Sequence, residues 1–356
     1  MRPRLAVRLV AVGVLLWGCG VYAQDYTIPA SPTTEDLRGV SLLSNGVAWA
    51  SGTHGTYLRR VDSGGRNSVP SWRAAQVPGA EGLDFRDVAA FSADLAYLLS
   101  IGFGKQSRIY KTTDGGLNWV LQFTSQNPKG FFDCMAFWDR DHGIALGDPV
   151  DGKFELITTR DGGAHWTPVP PSMLPPAMQG EGAFAASGTC IAVQGQSNVW
   201  FATGGKVARV FRSTDGGRSW GVVNAPIVHS NESSGIFSIA FRDARHGVIA
   251  GGDYKQPQQG GPTLAFTDDG GLHWTLSKAG PQAFFSAVAF DAPGQRVLAL
   301  GSALTLAIQG NGGRRLSDLN LNALSVNGAG DALAVGPKGL IVDFGKPREA
   351  ATSALH

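Results

Sequence analysis

The sequence predicts an all-β fold, a seven-bladed β-propeller built from four-stranded antiparallel blades. The composition gives the first indication, because the chain of 356 residues contains 49 glycines and only 16 % charged residues. Average proteins contain about 7 % Gly and about 25 % charged residues. The hydrophobic content of 43 % is sufficient for a buried core and excludes disorder along most of the chain. The glycines follow no every-third-residue rule, which excludes a collagen helix.

A recurring eight-residue motif gives the second indication. Its pattern is Ser/Thr, any residue, Asp, Gly, Gly, two further residues and Trp, and it occupies residues 112–119, 159–166, 213–220 and 267–274. Successive copies are 47, 54 and 54 residues apart, a spacing typical of propellers and solenoids. Asp-Gly-Gly favours a tight hairpin turn, and the following Trp can pack between neighbouring sheets. We assign a structural role to the Asp and Trp of each copy: Asp114, Trp119, Asp161, Trp166, Asp215, Trp220, Asp269 and Trp274.

Paired apolar runs before each motif give the third indication. In one such pair, residues 235–241 lead through a His-Gly turn at His246 and Gly247 into a second apolar run at residues 248–252. Equivalent pairs begin near Gly39, Asp87, Phe132, Thr189, Ser286 and Asn322, which gives seven units of about 45 residues. The first unit has a motif stretched by an insertion at residues 62–65, with Trp72, and the sixth lacks both the Asp and the Trp.

The last unit shows only three strand-like runs, at residues 323–326, 332–335 and 340–344. Residues 25–29 are placed to supply the missing fourth strand, which would join both ends of the chain and remove an open sheet edge. The sequence therefore predicts one propeller domain at residues 24–346, followed by a tail at residues 347–356.

These residues resemble a known family. The motif is similar to the Asp-box, or BNR, repeat of bacterial β-propellers in the sialidase-like superfamily. Together with the Phe-x-x-x-x-Phe strands and His-Gly turns, the chain from Gln24 to Lys346 resembles the photosystem II stability/assembly-factor-like branch. That resemblance implies a non-catalytic platform that binds a partner protein during assembly, and a structural role for the Asp-box.

The first 23 residues are predicted to be a secretory signal peptide. Arg2, Arg4 and Arg8 form a basic segment, an apolar stretch follows at residues 9–17, and Val21-Tyr22-Ala23 fits a cleavage site. An alternative interpretation takes residues 16–19 as a lipoprotein motif with Cys19 as the lipidated residue. Either interpretation predicts an exported protein, periplasmic or extracellular, without a membrane span in the mature chain.

Signal cleavage removes three arginines and leaves 27 basic and 28 acidic residues, so the net charge changes from +2 to −1. A near-neutral chain with dispersed Lys and Arg lacks the basic patch that nucleic-acid binding requires. We therefore expect an envelope protein as the partner, or a glycan if the protein is an enzyme. No cofactor motif is present, and the spacing of Asp148, Asp151 and Glu155 does not fit a calcium loop.

Polar residues in the loops opposite the Asp-box turns are the candidates for function. They come from the starts of the units and from the loops between second and third strands: Asp133, Asp148, Glu181, Arg209, Asp253 and Tyr254. Asp148 and Asp253 also fit a turn-stabilising role. Glu181, between two glycines, fits either a structural or a ligand-binding role.

The alternative function is a sialidase-like glycoside hydrolase. Tyr254 could then be the nucleophile, Glu181 its partner and Arg209 a carboxylate clamp, while an ordinary hydrolase would use two of Asp148, Glu181 and Asp253. The arginine motif of sialidases is missing, since Ile28-Pro29 has no Arg before it. The sequence therefore favours a binding propeller over an enzyme.

Four of the seven histidines occupy equivalent repeat positions and are predicted to be structural: His142, His246, His165 and His273. After signal cleavage two cysteines are left, Cys134 and Cys190, which occupy the same position in two units. Equivalent residues point the same way round a ring, so we expect the two thiols not to face each other and to be small buried residues.

Overall fold

The computed structural model describes residues 26–61, 71–279, 283–291, 294 and 296–345. The predicted signal peptide, Cys19, the insertion at residues 62–65 and the C-terminal tail lie outside the described residues. Within them, every regular element is a β-strand apart from two short 3₁₀ helices, Gly104–Gln106 and Pro171–Met173. The prediction of an all-β fold is confirmed.

The strands form seven antiparallel sheets in chain order. The first three blades contain β1 (Leu37–Leu42), β2 (Ala48–Gly52), β3 (Thr56–Val61), β4 (Ser71–Gln76); β5 (Asp84–Ala90), β6 (Ala96–Ile101), β7 (Arg108–Thr112), β8 (Val120–Thr124); and β9 (Phe132–Phe137), β10 (Gly143–Val150), β11 (Lys153–Thr159), β12 (Thr167–Pro168). Each hairpin follows from alternating apolar runs separated by Gly-rich turns.

Blades 4 to 7 continue the pattern with one elaboration. Their strands are β14 (Ile191–Gln194), β15 (Asn198–Ala202), β17 (Arg209–Ser213), β18 (Gly221–Asn224); β19 (Ser234–Phe241), β20 (Gly247–Asp253), β21 (Leu264–Thr267), β22 (Thr275–Leu276); β23 (Ala287–Phe290), β24 (Val297–Leu300), β25 (Thr305–Gln309), β26 (Gly312–Ser317); and β27 (Ala323–Val326), β28 (Ala332–Val335), β29 (Ile341–Gly345). Two short strands, β13 (Glu181–Gly182) and β16 (Gly204–Gly205), extend the blade 5 sheet at its inner edge.

The blades close into a ring. The innermost strands contact one another in the order β1, β5, β9, β14, β19, β23 and β27, and β27 contacts β1. Apolar clusters fill each junction between neighbouring blades. The prediction of a seven-bladed propeller is confirmed, because each blade buries its two faces against its neighbours.

The three-stranded last blade meets the N-terminal segment at a single point. The amide of Thr27 donates to the carbonyl of Asp343 over 2.8 Å, and the amide of Asp343 donates back over 2.9 Å. The described residues contain this one bridge beside β29, and not a full strand. The Nη1 of Arg60 in blade 1 also lies 3.1 Å from the Asp343 carboxylate.

The Asp-box turns share one geometry. In blade 2 the hydroxyl of Thr112 donates to the Asp114 carboxylate over 2.9 Å and accepts the amide of Gly116 over 2.9 Å. The same bonds recur in the other three boxes. Both glycines have positive φ, 76° and 89° in this copy, which explains why the motif needs Gly there.

The structure corrects the expectation for the cysteines. Cys134 and Cys190 are both fully buried and form a disulfide, with their Cα atoms 6.0 Å apart. The two positions do not share one backbone orientation, so the prediction that the thiols do not face each other was wrong. Cys134 lies within β9, whereas Cys190 lies in a bend immediately before β14, with its carbonyl accepting the amide of Ala202 over 3.0 Å, so the two side chains take different directions.

Candidate functional site

The central channel contains a segment of the chain that we call the plug, residues 183–189, which connects blade 3 to blade 4. The Nη1 of Arg86 in blade 2 donates to the carbonyl of Ala185 over 2.9 Å. The hydroxyl of Ser187 donates to the carbonyl of Ser286 in blade 6 over 2.8 Å. The Thr189 hydroxyl lies 2.7 Å from that of Ser238 in blade 5. The plug therefore bridges distant blades across the axis.

A buried carboxyl group lies beside the plug. Asp87 on β5 is 6 % exposed and accepts the amide of Met135 in blade 3 over 2.7 Å. A Cβ at Gly188 would lie 2.3 Å from Asp87 Oδ1, so this position of the plug requires glycine, which also has a φ of +76°. Burial raises the pKa of Asp87 to about 8. At neutral pH the protonated form therefore predominates.

Glu181 and Arg209 form a buried ion pair at the base of the plug. Arg209 Nε donates to Oε1 of Glu181 over 2.8 Å, and Nη2 donates to Oε2 over 2.5 Å. The Thr203 hydroxyl and the Met178 amide also donate to the carboxylate, over 2.6 and 2.8 Å. Both carboxylate oxygens are thus occupied by this chain's own donors, and this arrangement favours a structural role for the pair.

Asp133 and Asp148 lie together in blade 3, next to the plug. The Asp148 carboxylate accepts the amide of Ala183 over 2.8 Å, and burial raises its pKa to about 6. Asp133 is 1 % exposed, and burial together with the charge of Asp148 raises its pKa well above the usual range. Among the described residues, Oδ2 of Asp133 has no hydrogen-bond partner. Burial therefore favours the protonated form of Asp133 over its charged form.

Asp253 and Tyr254 lie in blade 5 and differ from each other in environment. The carboxylate of Asp253 accepts the hydroxyl of Ser233 over 2.7 Å, the side-chain amide of Asn231 over 3.0 Å and the backbone amide of Lys255 over 2.9 Å. Although partial burial opposes it, these hydrogen bonds hold the pKa of Asp253 below its usual value. Asp253 therefore stabilises its own turn.

Tyr254 is 48 % exposed and contacts an aromatic cluster beside the plug. Its ring centroid lies 6.1 Å from that of Phe237, which stacks on Phe184 of the plug at 3.8 Å and meets Phe284 edge-on at 4.8 Å. The cluster connects the exposed tyrosine to the channel. An apolar surface with one exposed aromatic edge is suited to packing against another polypeptide.

Two arginines at the channel mouth complete the site. Arg38 of β1 and Arg86 of β5 both lie at bulges in their inner strands. Burial and the nearby charge of Arg86 lower the pKa of Arg38 to about 10. Arg86 Nε binds Asp84 over 2.8 Å, whereas the buried Nε of Arg38 has no partner among the described residues. We did not predict Arg38 from the sequence, because a bulge that turns its side chain inward has no sequence signal that we recognised.

The six sequence candidates thus divide into three groups round the plug. The first group lies at blades 3 and 4 and consists of Asp133, Asp148, Glu181 and Arg209. Tyr254 is connected to the plug through its contact with Phe237. Asp253 accepts hydrogen bonds from its own turn and from the neighbouring loop. No group of three His, Cys, Asp or Glu residues in the described part of the chain is arranged to hold a metal ion. No helix there has the length and apolar character needed to cross a membrane.

Comparisons with known proteins support the fold and leave the activity open. No protein-family model matches the sequence, and no curated protein is significantly similar to it. The solved structure of YCF48 bound to D1 peptide is similar, with a TM-score of 0.62, 15 % identity and coverage of 91 % of this chain and 98 % of the other. YCF48 from Cyanidioschyzon merolae gives a TM-score of 0.61, 18 % identity and coverage of 91 % and 99 %.

The GH74 xyloglucanase from Xanthomonas campestris is also similar, with a TM-score of 0.63 and 16 % identity over 92 % of this chain. The present chain spans about half of that enzyme, 54 % of its length. At these identities the likeness establishes the propeller fold alone, which assembly factors and hydrolases share.

Proposed function

We propose that this protein is an exported, non-catalytic propeller that binds a partner polypeptide at the channel mouth, as an assembly or stability platform in the cell envelope. The buried Nε of Arg38, without a partner beside a second arginine, is the observation that carries the proposal. A buried cationic donor needs an acceptor, and a carboxylate of a peptide supplies one with fork geometry.

The surroundings of the arginines support a peptide ligand. The aromatic cluster of Phe184, Phe237, Phe284 and Tyr254 lies on the other side of the plug and can pack against apolar side chains of the peptide. A similar structure, YCF48, is named as bound to D1 peptide, which is consistent with this use of the fold.

The disulfide between Cys134 and Cys190 supports export. Disulfides persist in the periplasm and outside the cell, and are rare in reducing compartments. Together with the predicted signal peptide at residues 1–23, it favours a periplasmic or extracellular location, with lipidation at Cys19 as the alternative to cleavage after Ala23.

The test compares partner capture by the mature protein and a double variant, Arg38→Gln with Arg86→Gln, from the envelope fraction of the source cells. We expect the wild type to retain one protein in stoichiometric amount, and the variant to retain at least about tenfold less. Arg160→Gln with Arg218→Gln is the matched control, because both arginines lie in Asp-box turns on the opposite face, and its capture should equal that of the wild type. Equal capture by all three proteins would contradict the site.

A glycoside hydrolase is the second candidate, favoured by the buried pair of carboxyl groups, Asp133 and Asp148. Asp148, with a pKa raised to about 6, has the character of a general acid, and the neighbouring Asp133 shares its burial. Turnover of aryl-glycoside or sialic acid substrates that disappears in Asp148→Asn, Glu181→Gln or Tyr254→Phe would overturn the binding-only proposal.

A further inference from the structure

The box tryptophans close four junctions between blades on the Asp-box face. Each indole is half-buried and packs against an aromatic ring. The distances between ring centroids are 6.0 Å for Trp119 and Trp49, 6.1 Å for Trp166 and Phe137, 5.1 Å for Trp220 and Phe201, and 6.1 Å for Trp274 and Phe241. Each belongs to the apolar cluster of its junction. An indole of this size fills apolar volume at the junction. The junction between blades 3 and 4, which contains Trp220, has a smaller cleft of about 250 Å³ that is lined mainly by polar residues.

The junction between blades 5 and 6 lacks this indole. In blade 5, Thr275 pairs with Phe266, so Trp274 lies immediately before that pair. In blade 6 the equivalent pair is Arg314 with Ala307, which places Gly313 at the position of the tryptophan. The cluster that fills this junction accordingly contains no tryptophan.

The opposite wall of the same junction is also reduced. In blade 4, Trp200 pairs with Arg212, the residue before the box serine, and its Nε1 donates to the carbonyl of Gly270 over 2.8 Å. In blade 5, Phe266 is the residue before the box threonine, and it pairs with Val248. Val248 therefore occupies the position that Trp200 has in blade 4. Valine is smaller than an indole, so the buried cluster of this junction contains less side-chain volume at this position.

A cleft of about 490 Å³ lies there, open to solvent on the Asp-box face. Its apolar lining comes from both blades and consists of Phe266, Phe290, Val297 and Ile308. Polar residues that also line it are Arg242, His246, Asp268 and His273. This volume and this mixture of residues are typical of ligand sites in proteins.

We propose that this cleft binds an aromatic group of the indole class, presented by a partner polypeptide. Phe290 of blade 6 corresponds to Phe241 of blade 5, the ring that contacts Trp274 in the preceding junction. Each of the two phenylalanines pairs with the first residue of the second strand of its own blade. Arg242 lies over Phe290, 5.8 Å from the ring centroid, and donates to the carbonyl of Gly294. The aromatic wall is therefore in place.

The direction of entry favours a side chain on a polypeptide. In the four closed junctions the indole is carried by a backbone that passes along the Asp-box face, and the ring points inward from it. The opening of the cleft is on the same face, so it accepts an aromatic ring attached to a peptide backbone outside. The site is separate from the channel mouth, which is on the opposite face.

The test is a titration of the full mature protein with N-acetyl-L-tryptophanamide, followed by amide chemical shifts in NMR. We expect saturable binding with a dissociation constant on the order of 1 mM, typical of one small group, and shifts confined to the cleft. N-acetyl-L-leucinamide should bind at least about fivefold more weakly. A lack of saturation, or equal affinity for both probes, would overturn the proposal.

Variants locate the binding. Gly313→Trp restores the missing indole and should lower the affinity for the probe at least about tenfold, since Gly313 has no positive φ that would oppose substitution. Gly312→Trp, where a Cβ would meet only the Gln309 carbonyl at 3.5 Å, is the matched control and should bind like the wild type. Phe290→Leu keeps the apolar volume and should weaken binding several-fold. Undiminished binding by both Gly313→Trp and Phe290→Leu would refute the assignment.

Discussion

At the scale of single residues, the carboxyl groups of this protein fall into two populations. Box aspartates such as Asp161 and Asp215 accept several hydrogen bonds at the surface, which lower the pKa of each to about 2. Asp87, Asp133 and Asp148 near the channel have raised pKa values because burial disfavours their charged form. The sequence revealed the first population through its repeat. The second depends on which side chains the ring closure removes from water.

The raised pKa of Asp87 predicts a pH-dependent stability. Its pKa is about 8 in the folded protein and 3.8 ordinarily, so the folded state binds more protons between these values and loses stability as the pH rises. We expect Asp87→Asn to gain stability relative to the wild type between pH 5 and pH 8, by on the order of 1–3 kcal/mol. Urea denaturation at pH 5, 6, 7 and 8 measures this difference.

Asp215→Asn is the control for this prediction. The pKa of Asp215 is lowered to about 2, so its contribution is present above pH 4 and is lost only as the pH falls through 4 towards 2. The difference between this variant and the wild type should therefore stay constant from pH 5 to pH 8. A constant difference for Asp87→Asn as well would mean that Asp87 is ionised in the folded protein.

At the scale of the element, the Asp-box combines a turn and an inter-blade contact. Its Asp, hydroxyl and two glycines form the turn, and a glycine carbonyl accepts a hydrogen bond from the preceding blade, as Gly162 does from Tyr97 over 2.8 Å. The motif and its structural role were predictable because all of its residues are local in sequence. The loss of the Asp and Trp from the sixth copy was predictable too, but the cleft beside it is lined by residues of two blades, such as Phe266 and Phe290, which only the tertiary structure brings together.

We expect Trp220→Ala to lower the free energy of unfolding by about 2–4 kcal/mol. The indole packs against Phe201 at 5.1 Å, and its Nε1 donates to Gly217 over 3.1 Å, so truncation leaves a cavity in the junction between blades 3 and 4. Leu117→Ala, at a box position that is 83 % exposed, should change stability by less than about 0.5 kcal/mol. A loss below about 1 kcal/mol for Trp220→Ala, measured by denaturation, would show that the indole contributes little.

At the scale of the whole molecule, contacts between distant blades hold the ring and fill its axis. The side-chain amide of Asn322 in blade 7 donates to the carbonyl of Leu37 in blade 1 over 2.8 Å, and the plug connects blades 2, 5 and 6. The disulfide joins blade 3 to the entrance of blade 4, across 56 residues of chain. Sequence reasoning missed both the plug and the disulfide because each joins segments far apart in the chain.

The double variant Cys134→Ala with Cys190→Ala should lose about 2–4 kcal/mol of unfolding free energy. A cross-link over 56 residues restricts the unfolded chain, and the longer the closed loop the larger the effect. Guanidinium denaturation with and without a reductant measures this loss. The reduced wild type should approach the variant, and the variant should not respond to the reductant. A wild type whose midpoint is unchanged by complete reduction would contradict a stabilising disulfide.

The sequence by itself determined the repeat, the number of blades and the turn chemistry. These follow from residues within a few positions of one another, because Asp-Gly-Gly turns and alternating apolar strands are set by backbone and side-chain preferences that act locally. The tertiary structure decided which polar residues meet at the channel mouth, that Glu181 is paired with Arg209, and that two cysteines bond. Those outcomes depend on burial and on contacts between segments far apart in the chain, which form only when the blades pack against one another.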